Sequence, residues 1–255
     1  MATKKKTVIV TGASSGIGKA CATIFAQNNF KVIVTGRRLE LLKSLAASLK
    51  KKYDAEVLVL NFDVRNYDEV ALAIKKIPAQ WKSIDILINN AGLAAGLEPI
   101  NEGKIDDWTQ MIDTNIKGLL YVSRCIIPGM IHRKKGHIIN IGSIAGKESY
   151  LNGNVYCATK AAVDSLTKSM RIDLLEHNIK VSQIAPGAAQ TEFSEVRFKG
   201  DKVKAKKAYE GFTPLTGDDI AGAVYFVASL PAHVNVNDLL IMPTSQANTT
   251  HLLKK

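Results

Sequence analysis

VTGASSGIGKA, residues 10–20, starts on the end of an apolar, β-branched run and finishes inside a segment of helical period. Gly12, Gly16 and Gly18 fall between the two. Glycine tolerates positive φ and lets a ligand come close to the backbone. A helix starting here offers free N–H groups and the positive end of its dipole to an anion. A glycine trio alone is a weak signal. Placed after a buried strand and before an amphipathic helix, it predicts a phosphate-binding turn. The alternative is a tight turn with no ligand.

Outward from this turn the chain alternates. Strand candidates are TVIVT (7–11), KVIVT (31–35), EVLVLN (56–61), IDILIN (84–89), GHIINIG (136–142), IKVSQIA (179–185) and DLLIMP (238–243). Several are continuous apolar runs, which is what strands buried on both faces need. Segments of helical period lie near 17–28, 39–52, 67–79, 106–133, 155–177 and 217–230. This repetition predicts an α/β fold: a single-domain, Rossmann-like, doubly wound parallel sheet of about seven strands with helices on both faces. No Pro/Gly/Ser-rich linker or repeat divides the chain, so 1–255 reads as one domain. The stretch 190–216 is poor in strand signal and reads as a loop-helix insertion covering a site.

Composition narrows the classes. With 255 residues and 46% hydrophobic content the chain can bury a large core. It has no apolar run near 18 residues, so no membrane span is expected. The start, MATKKKTVIVTG, has a basic flank but only VIV as its apolar run, which does not fit a targeting peptide. Cys21, Cys125 and Cys157 are far apart and form no CxxC pair, as expected of reduced thiols in a cytoplasmic protein. The net charge of +11 attracts anions. However, the basic runs at 4–6, 50–52, 133–135 and 202–207 are scattered, with no aromatic residues interleaved as a base-stacking platform would need. Neither a nucleic acid nor a membrane is expected as a partner.

The second strand candidate runs into Gly36, Arg37 and Arg38. Dinucleotide folds that take NAD often place a carboxylate here for the adenosine ribose. A carboxylate repels the extra phosphate of NADP, whereas a guanidinium grips it bidentately. The pair therefore points to NADP, with Arg37 the favoured contact. Further on, VYCATK sets Tyr156 four residues ahead of Lys160, on one face if helical. A cation there would lower the pKa of the phenol and fit it for proton transfer. Taken singly, Tyr156 is equally a helix-surface aromatic, Ser143 a strand-end serine and Asn115 a capping residue. His132, His137 and His177 show no metal-ligand spacing, and Trp81 and Trp108 read as packing residues.

In order, TGASSGIG (11–18), DV (63–64), NNAG (89–92), Asn115 in DTNIKG, GSIAG (142–146), YCATK (156–160) and PG (186–187) make the chain resemble a short-chain dehydrogenase/reductase over nearly its whole length. The resemblance implies a catalytic set of Asn115, Ser143, Tyr156 and Lys160. Tyr156 would be the acid/base, and Ser143 would bind the substrate oxygen. Lys160 would also hold the nicotinamide ribose, and Asn115 would hold a water connecting Lys160 to solvent. It implies a cofactor site of Gly12, Ser14, Ser15, Gly16, Ile17, Gly18, Arg37, Arg38, Asp63, Val64, Asn90, Ala91, Gly92, Tyr156, Lys160, Pro186, Gly187 and Thr191, and a homotetramer.

TGRRLELL (35–42), NNAGLAAGLEP (89–99), YLNGNVYCATK (150–160), GAAQTEFSEVRFKG (187–200) and IMPTSQANTTHL (241–252) are similar to the NADP-dependent 3-hydroxy acid dehydrogenases, the group that oxidises L-serine and L-allo-threonine. Such a substrate carries a carboxylate, for which Arg197 is the first candidate and Lys199 the second. Ala188 and Ala189 stand where a bulkier pair is common, which implies an altered pocket size. Two alternatives stay open. One is a reductase of 3-oxoacyl groups on a carrier protein or CoA. The other is a cofactor-binding regulator without catalysis.

Overall fold

The structure, a computed structural model, describes residues 5–255. Residues 1–4, which begin the basic start of the chain, lie outside it. The strands are β1 (Thr7–Val10), β2 (Lys31–Gly36), β3 (Val57–Asn61), β4 (Ile84–Asn89), β5 (Gly136–Ile141), β6 (Ile179–Pro186) and β7 (Asp238–Ile241). They form one seven-stranded sheet in the order β3-β2-β1-β4-β5-β6-β7, with every pairing parallel. The order reverses between β1 and β4. Open α/β sheets bind their ligands in the crevice at such a point, beyond the carboxyl ends of the strands.

The continuous apolar runs follow from burial on both faces. One face carries Val8, Val10, Val32, Val34, Ile86, Ile88, Ile139 and Ile141 beneath helices α1 (Gly16–Gln27), α2 (Leu39–Tyr53) and the late helix at Gly217–Ser229. The other carries Ile9, Ile33, Leu87, Ile138 and Val181 beneath α3 (Tyr67–Lys75) and the helices that follow β4 and β5. All of these strand residues are buried. The helix expected over 67–79 is shorter: α3 stops at Lys75, just ahead of Pro78, which cannot continue it.

The helix expected over 106–133 is interrupted. It consists of α4 (Ile105–Ile112), a π-helical turn at Asp113–Lys117 and α5 (Gly118–His132). Asn115 lies within the widened turn and is buried. Such single π turns re-aim a side chain that a regular helix would place elsewhere. At the far end of the turn Gly118 is packed against Val64, and a Cβ there would come within 2.7 Å of the valine methyl.

After β5 come α6 (Asn154–Asp173) and β6; the stretch 190–216 then leaves the sheet. It folds into two short helices, α7 (Phe193–Arg197) and α8 (Lys202–Lys207), before α9 (Gly217–Ser229). Its neck is closed by a bridge between Ala189 and Leu215, with Gln190 N–H donating to the Leu215 carbonyl at 2.7 Å.

Candidate active site

Gly12 and Gly16 have φ of +66° and +51°, in the left-handed region that a β-carbon disfavours. They turn the chain from β1 into α1. Gly18 has a different role from that expected. It is buried and does not line the crevice. A Cβ on it would fall 2.3 Å from the Gly12 carbonyl oxygen and 2.5 Å from Asn90 Nδ2, so the bare backbone lets α1 dock against the turn. Asn90 fastens the turn from the next strand. Its Nδ2 donates to the carbonyl oxygens of Thr11 (2.8 Å) and Gly12 (3.3 Å), and Thr11 Oγ1 accepts from the N–H groups of Asn90 and Ala91.

The start of α1 has no side-chain cap and no acidic residue in its first turn. By contrast, α9 is closed by a Thr216–Asp219 capping box and α3 by Asn66. An open helix end, two positive-φ glycines and a lining of Ser14, Ser15 and Ile17 make a cradle for phosphate oxygens.

From this cradle a cavity of about 530 Å³ runs along the carboxyl edge of the sheet. Of the expected cofactor residues, Gly12, Ser14, Ser15, Gly16, Ile17, Arg37, Arg38, Asp63, Val64, Asn90, Ala91, Gly92, Tyr156, Lys160, Pro186, Gly187 and Thr191 line it. At the β2 end the two arginines differ. Arg37 is exposed, and its nearest carboxylate is Asp63 at 3.9 Å. Asp63 is more tightly held by Arg65, at 2.6 Å. Arg38 folds over the glycine turn: its Nη2 donates to Ser14 Oγ (2.9 Å) and Ser15 Oγ (2.6 Å), and its Nη1 pairs with Glu192 Oε2 at 2.8 Å.

The middle of the cavity holds Ser143, Tyr156 and Lys160. Ser143 follows β5 and caps a one-turn helix, accepting from Ala145 N–H at 3.1 Å. Lys160 lies one turn beyond Tyr156 on α6 and is buried; its Nζ donates to the Ile141 carbonyl at 2.9 Å. Burial lowers the pKa of this ammonium to about 8. Lys160 is not among the largest influences on the Tyr156 phenol. Burial pushes Tyr156 well above the ordinary phenol value, and the groups opposing that shift are the Arg197 guanidinium and a hydrogen bond from Ser143. The physical reason is placement. Lys160 reaches the end of β5, whereas the Arg197 guanidinium lies 5.0 Å from the centre of the Tyr156 ring.

Asn115 does not line the cavity. Its Nδ2 donates to the Leu93 carbonyl (2.8 Å) and Thr159 Oγ1 (3.0 Å), and its Oδ1 accepts from Leu93 N–H (2.8 Å). Both amide hydrogens are spent, so that nitrogen has none left for the expected water. The side chain ties the Leu93 backbone to Thr159 of α6.

Arg197, at the end of α7, closes the far end of the cavity. Its Nη2 donates to Tyr150 Oη at 2.6 Å, while its Nε is buried without a hydrogen-bond partner. A buried guanidinium N–H left unpaired is costly, and here it belongs to a side chain on the cavity wall. Lys199, the second candidate, is taken up elsewhere: it pairs with Asp107 of α4 at 2.8 Å and does not line the cavity. Sequence reasoning assigned no role to Tyr150, Glu192, Phe193, Tyr209, Gln246 or Thr249, all of which line it. Apart from Tyr209 they fall within the distinctive segments quoted above, but no spacing rule connects them. Among the described residues no group of His, Cys, Asp and Glu could hold a metal.

The model of the short chain dehydrogenase family matches residues 6–202. The chain is 50% identical over 241 residues to the NADP-dependent 3-hydroxy acid dehydrogenase of Salmonella typhi, an alignment spanning 94% of this chain and 96% of that protein. It is 40% identical over 251 residues to the NADP-dependent 3-hydroxy acid dehydrogenase of Schizosaccharomyces pombe, spanning 98% and 97%. The solved closed form of serine dehydrogenase complexed with NADP+ superposes with a TM-score of 0.91 at 46% identity, covering 98% of this chain and 99% of that one. The chain belongs to the short-chain dehydrogenase family.

Proposed function

We propose that the protein is an NADP-dependent dehydrogenase of small 3-hydroxy acids such as L-serine, L-allo-threonine and 3-hydroxyisobutyrate. The observation that carries this reading is the placement of Ser143, Tyr156 and Lys160 in one cavity between a phosphate cradle and Arg197. The cradle, with Ser14, Arg37 and Arg38 at its outer end, suits a dinucleotide bearing a 2′-phosphate. When bound, NADP supplies the acceptor or donor of the hydride.

Tyr156 takes the proton of the substrate 3-hydroxyl in oxidation and returns it in reduction. Ser143, on the cavity wall with Tyr156, donates its hydroxyl hydrogen to the substrate oxygen. Lys160 spends one N–H on Ile141 and keeps two for ribose hydroxyls. Arg197, on the cavity wall beside the Tyr156 ring, receives the substrate carboxylate. Asn115 positions the Leu93 backbone. The 190–216 insertion covers the substrate end of the cavity.

The reading extends to a cytoplasmic homotetramer. No described helix is long and apolar enough to cross a membrane. Leu120 of α5 and Ile172 of α6 leave apolar surface exposed. The test is Tyr156→Phe. It keeps the ring and loses the proton, so turnover falls about 100- to 10,000-fold, the range of a lost acid/base group, while NADP+ still binds in a fluorescence titration. Activity near that of the unmodified protein refutes the mechanism.

A further inference from the structure

The insertion touches the phosphate cradle directly. Thr191 packs on Gly16, whose added Cβ would meet the threonine Cβ at 3.2 Å. The next residue, Glu192, holds Arg38 at 2.8 Å, while Arg38 also holds Ser14 and Ser15. Glu192 thus ties the insertion to the outer end of the cradle through one guanidinium. All six residues line the cavity.

We propose that Glu192 is a specificity-determining residue that competes with the 2′-phosphate of the cofactor for Arg38. The inference rests on the NADP reading. Its chemistry is the equivalence of the two acceptors. A carboxylate and a phosphate each present paired oxygens to a guanidinium fork. They cannot share it at close range without like-charge repulsion. Arg37 needs no such exchange, because its nearest carboxylate stands 3.9 Å away. Arg38 must give up Glu192 to receive a phosphate. A cofactor without the 2′-phosphate leaves the pair, and the insertion's tie to the cradle, intact. Glu192 is held ionised: burial works against its charge, but Arg38, Ser15 and Lys19 hold its carboxyl below the usual range.

The experiment uses adenosine 2′,5′-bisphosphate and 5′-AMP, which differ only by the 2′-phosphate and carry no nicotinamide. Calorimetric titrations are run on the full chain, Glu192→Gln, Arg38→Ala and the double variant. The inference predicts that Glu192→Gln tightens the bisphosphate about two- to fivefold, the range an exposed ion pair allows, and leaves 5′-AMP unchanged. In the Arg38→Ala background the same change has little effect, because the contested partner is gone. Weaker or unchanged bisphosphate binding in Glu192→Gln overturns the inference, as does an effect of full size without Arg38. The starting protein separates the two levels. If it binds the bisphosphate no more tightly than 5′-AMP, the NADP reading fails and the inference with it. If it prefers the bisphosphate and Glu192→Gln changes nothing, only the inference fails.

Discussion

The proposed mechanism asks Tyr156 to lose a proton in a setting that disfavours its anion. Burial raises its pKa, and the guanidinium 5.0 Å from its ring belongs to Arg197 on the insertion rather than to Lys160 on its own helix. In the proposed mechanism a substrate carboxylate on Arg197 would join recognition to the proton-transfer residue through one side chain. Arg197→Ala is expected to raise KM for L-serine about 10- to 100-fold, matching a buried hydrogen bond to a charged group at about 1.5–3 kcal/mol. KM for a neutral secondary alcohol changes far less. Steady-state kinetics on both substrates check this, and an equal rise in KM for both would place Arg197 in a structural role. At this scale the sequence was only half legible. The Tyr156–Lys160 spacing was plain, but which cation faces the phenol depends on a contact between residues 41 positions apart. The spent amide of Asn115 likewise depends on Leu93 and Thr159, which no local pattern joins to it.

Elements carry the phosphate cradle, and its glycines do unequal work. Gly12 and Gly16 supply positive φ, whereas Gly18 supplies room. A methyl group on Gly18 would overlap the Gly12 carbonyl and the Asn90 amide. Gly18→Ala should therefore cost about 1–3 kcal/mol of stability and weaken NADP+ binding. Gly36→Ala, whose Cβ would meet only ordinary contacts at 3.9 Å, should cost little. Urea denaturation of both variants measures the difference, and a Gly18→Ala protein as stable as Gly36→Ala would contradict the packing. The strand-turn-helix of the cradle could be read from sequence because its glycines fall where the hydrophobic period changes. The π turn at Asp113–Lys117 could not, because one extra residue per turn barely disturbs a helical period across 106–133. The insertion was legible as an interruption of the alternation, but its two short helices have too few residues to show a period.

At the scale of the molecule, the seven-stranded parallel sheet was legible because its five inner strands, buried on both faces, must be largely apolar. Buried polar residues interrupt that pattern at several points, among them Thr35, Asn89, His137, Asn140 and Gln183. His137 on β5 bonds Ser182 on β6 at 2.8 Å, and burial with nearby Lys180 lowers its pKa from 6.5 to about 3. The unfolded chain takes up a proton below pH 6.5 that the folded one refuses. His137 therefore costs stability as pH falls from 6.5 toward 3, by about 1.4 kcal/mol per unit. Unfolding free energies from urea denaturation should drop between pH 7 and pH 5, by about 2 kcal/mol from this group, and His137→Asn should flatten that decline. An unchanged slope in the variant would mean that His137 charges freely in the folded state.

The central claim, hydride transfer from a small 3-hydroxy acid to NADP+, is tested most directly by absorbance at the reduced-nicotinamide band. The protein is mixed with L-serine, L-allo-threonine or 3-hydroxyisobutyrate and with either NADP+ or NAD+. The account predicts absorbance that grows with NADP+ and grows far more slowly with NAD+. No growth with any of the three acids, in a protein shown to bind NADP+, would contradict it, and NADPH consumption with a 3-oxoacyl thioester would then move the substrate to acyl carriers.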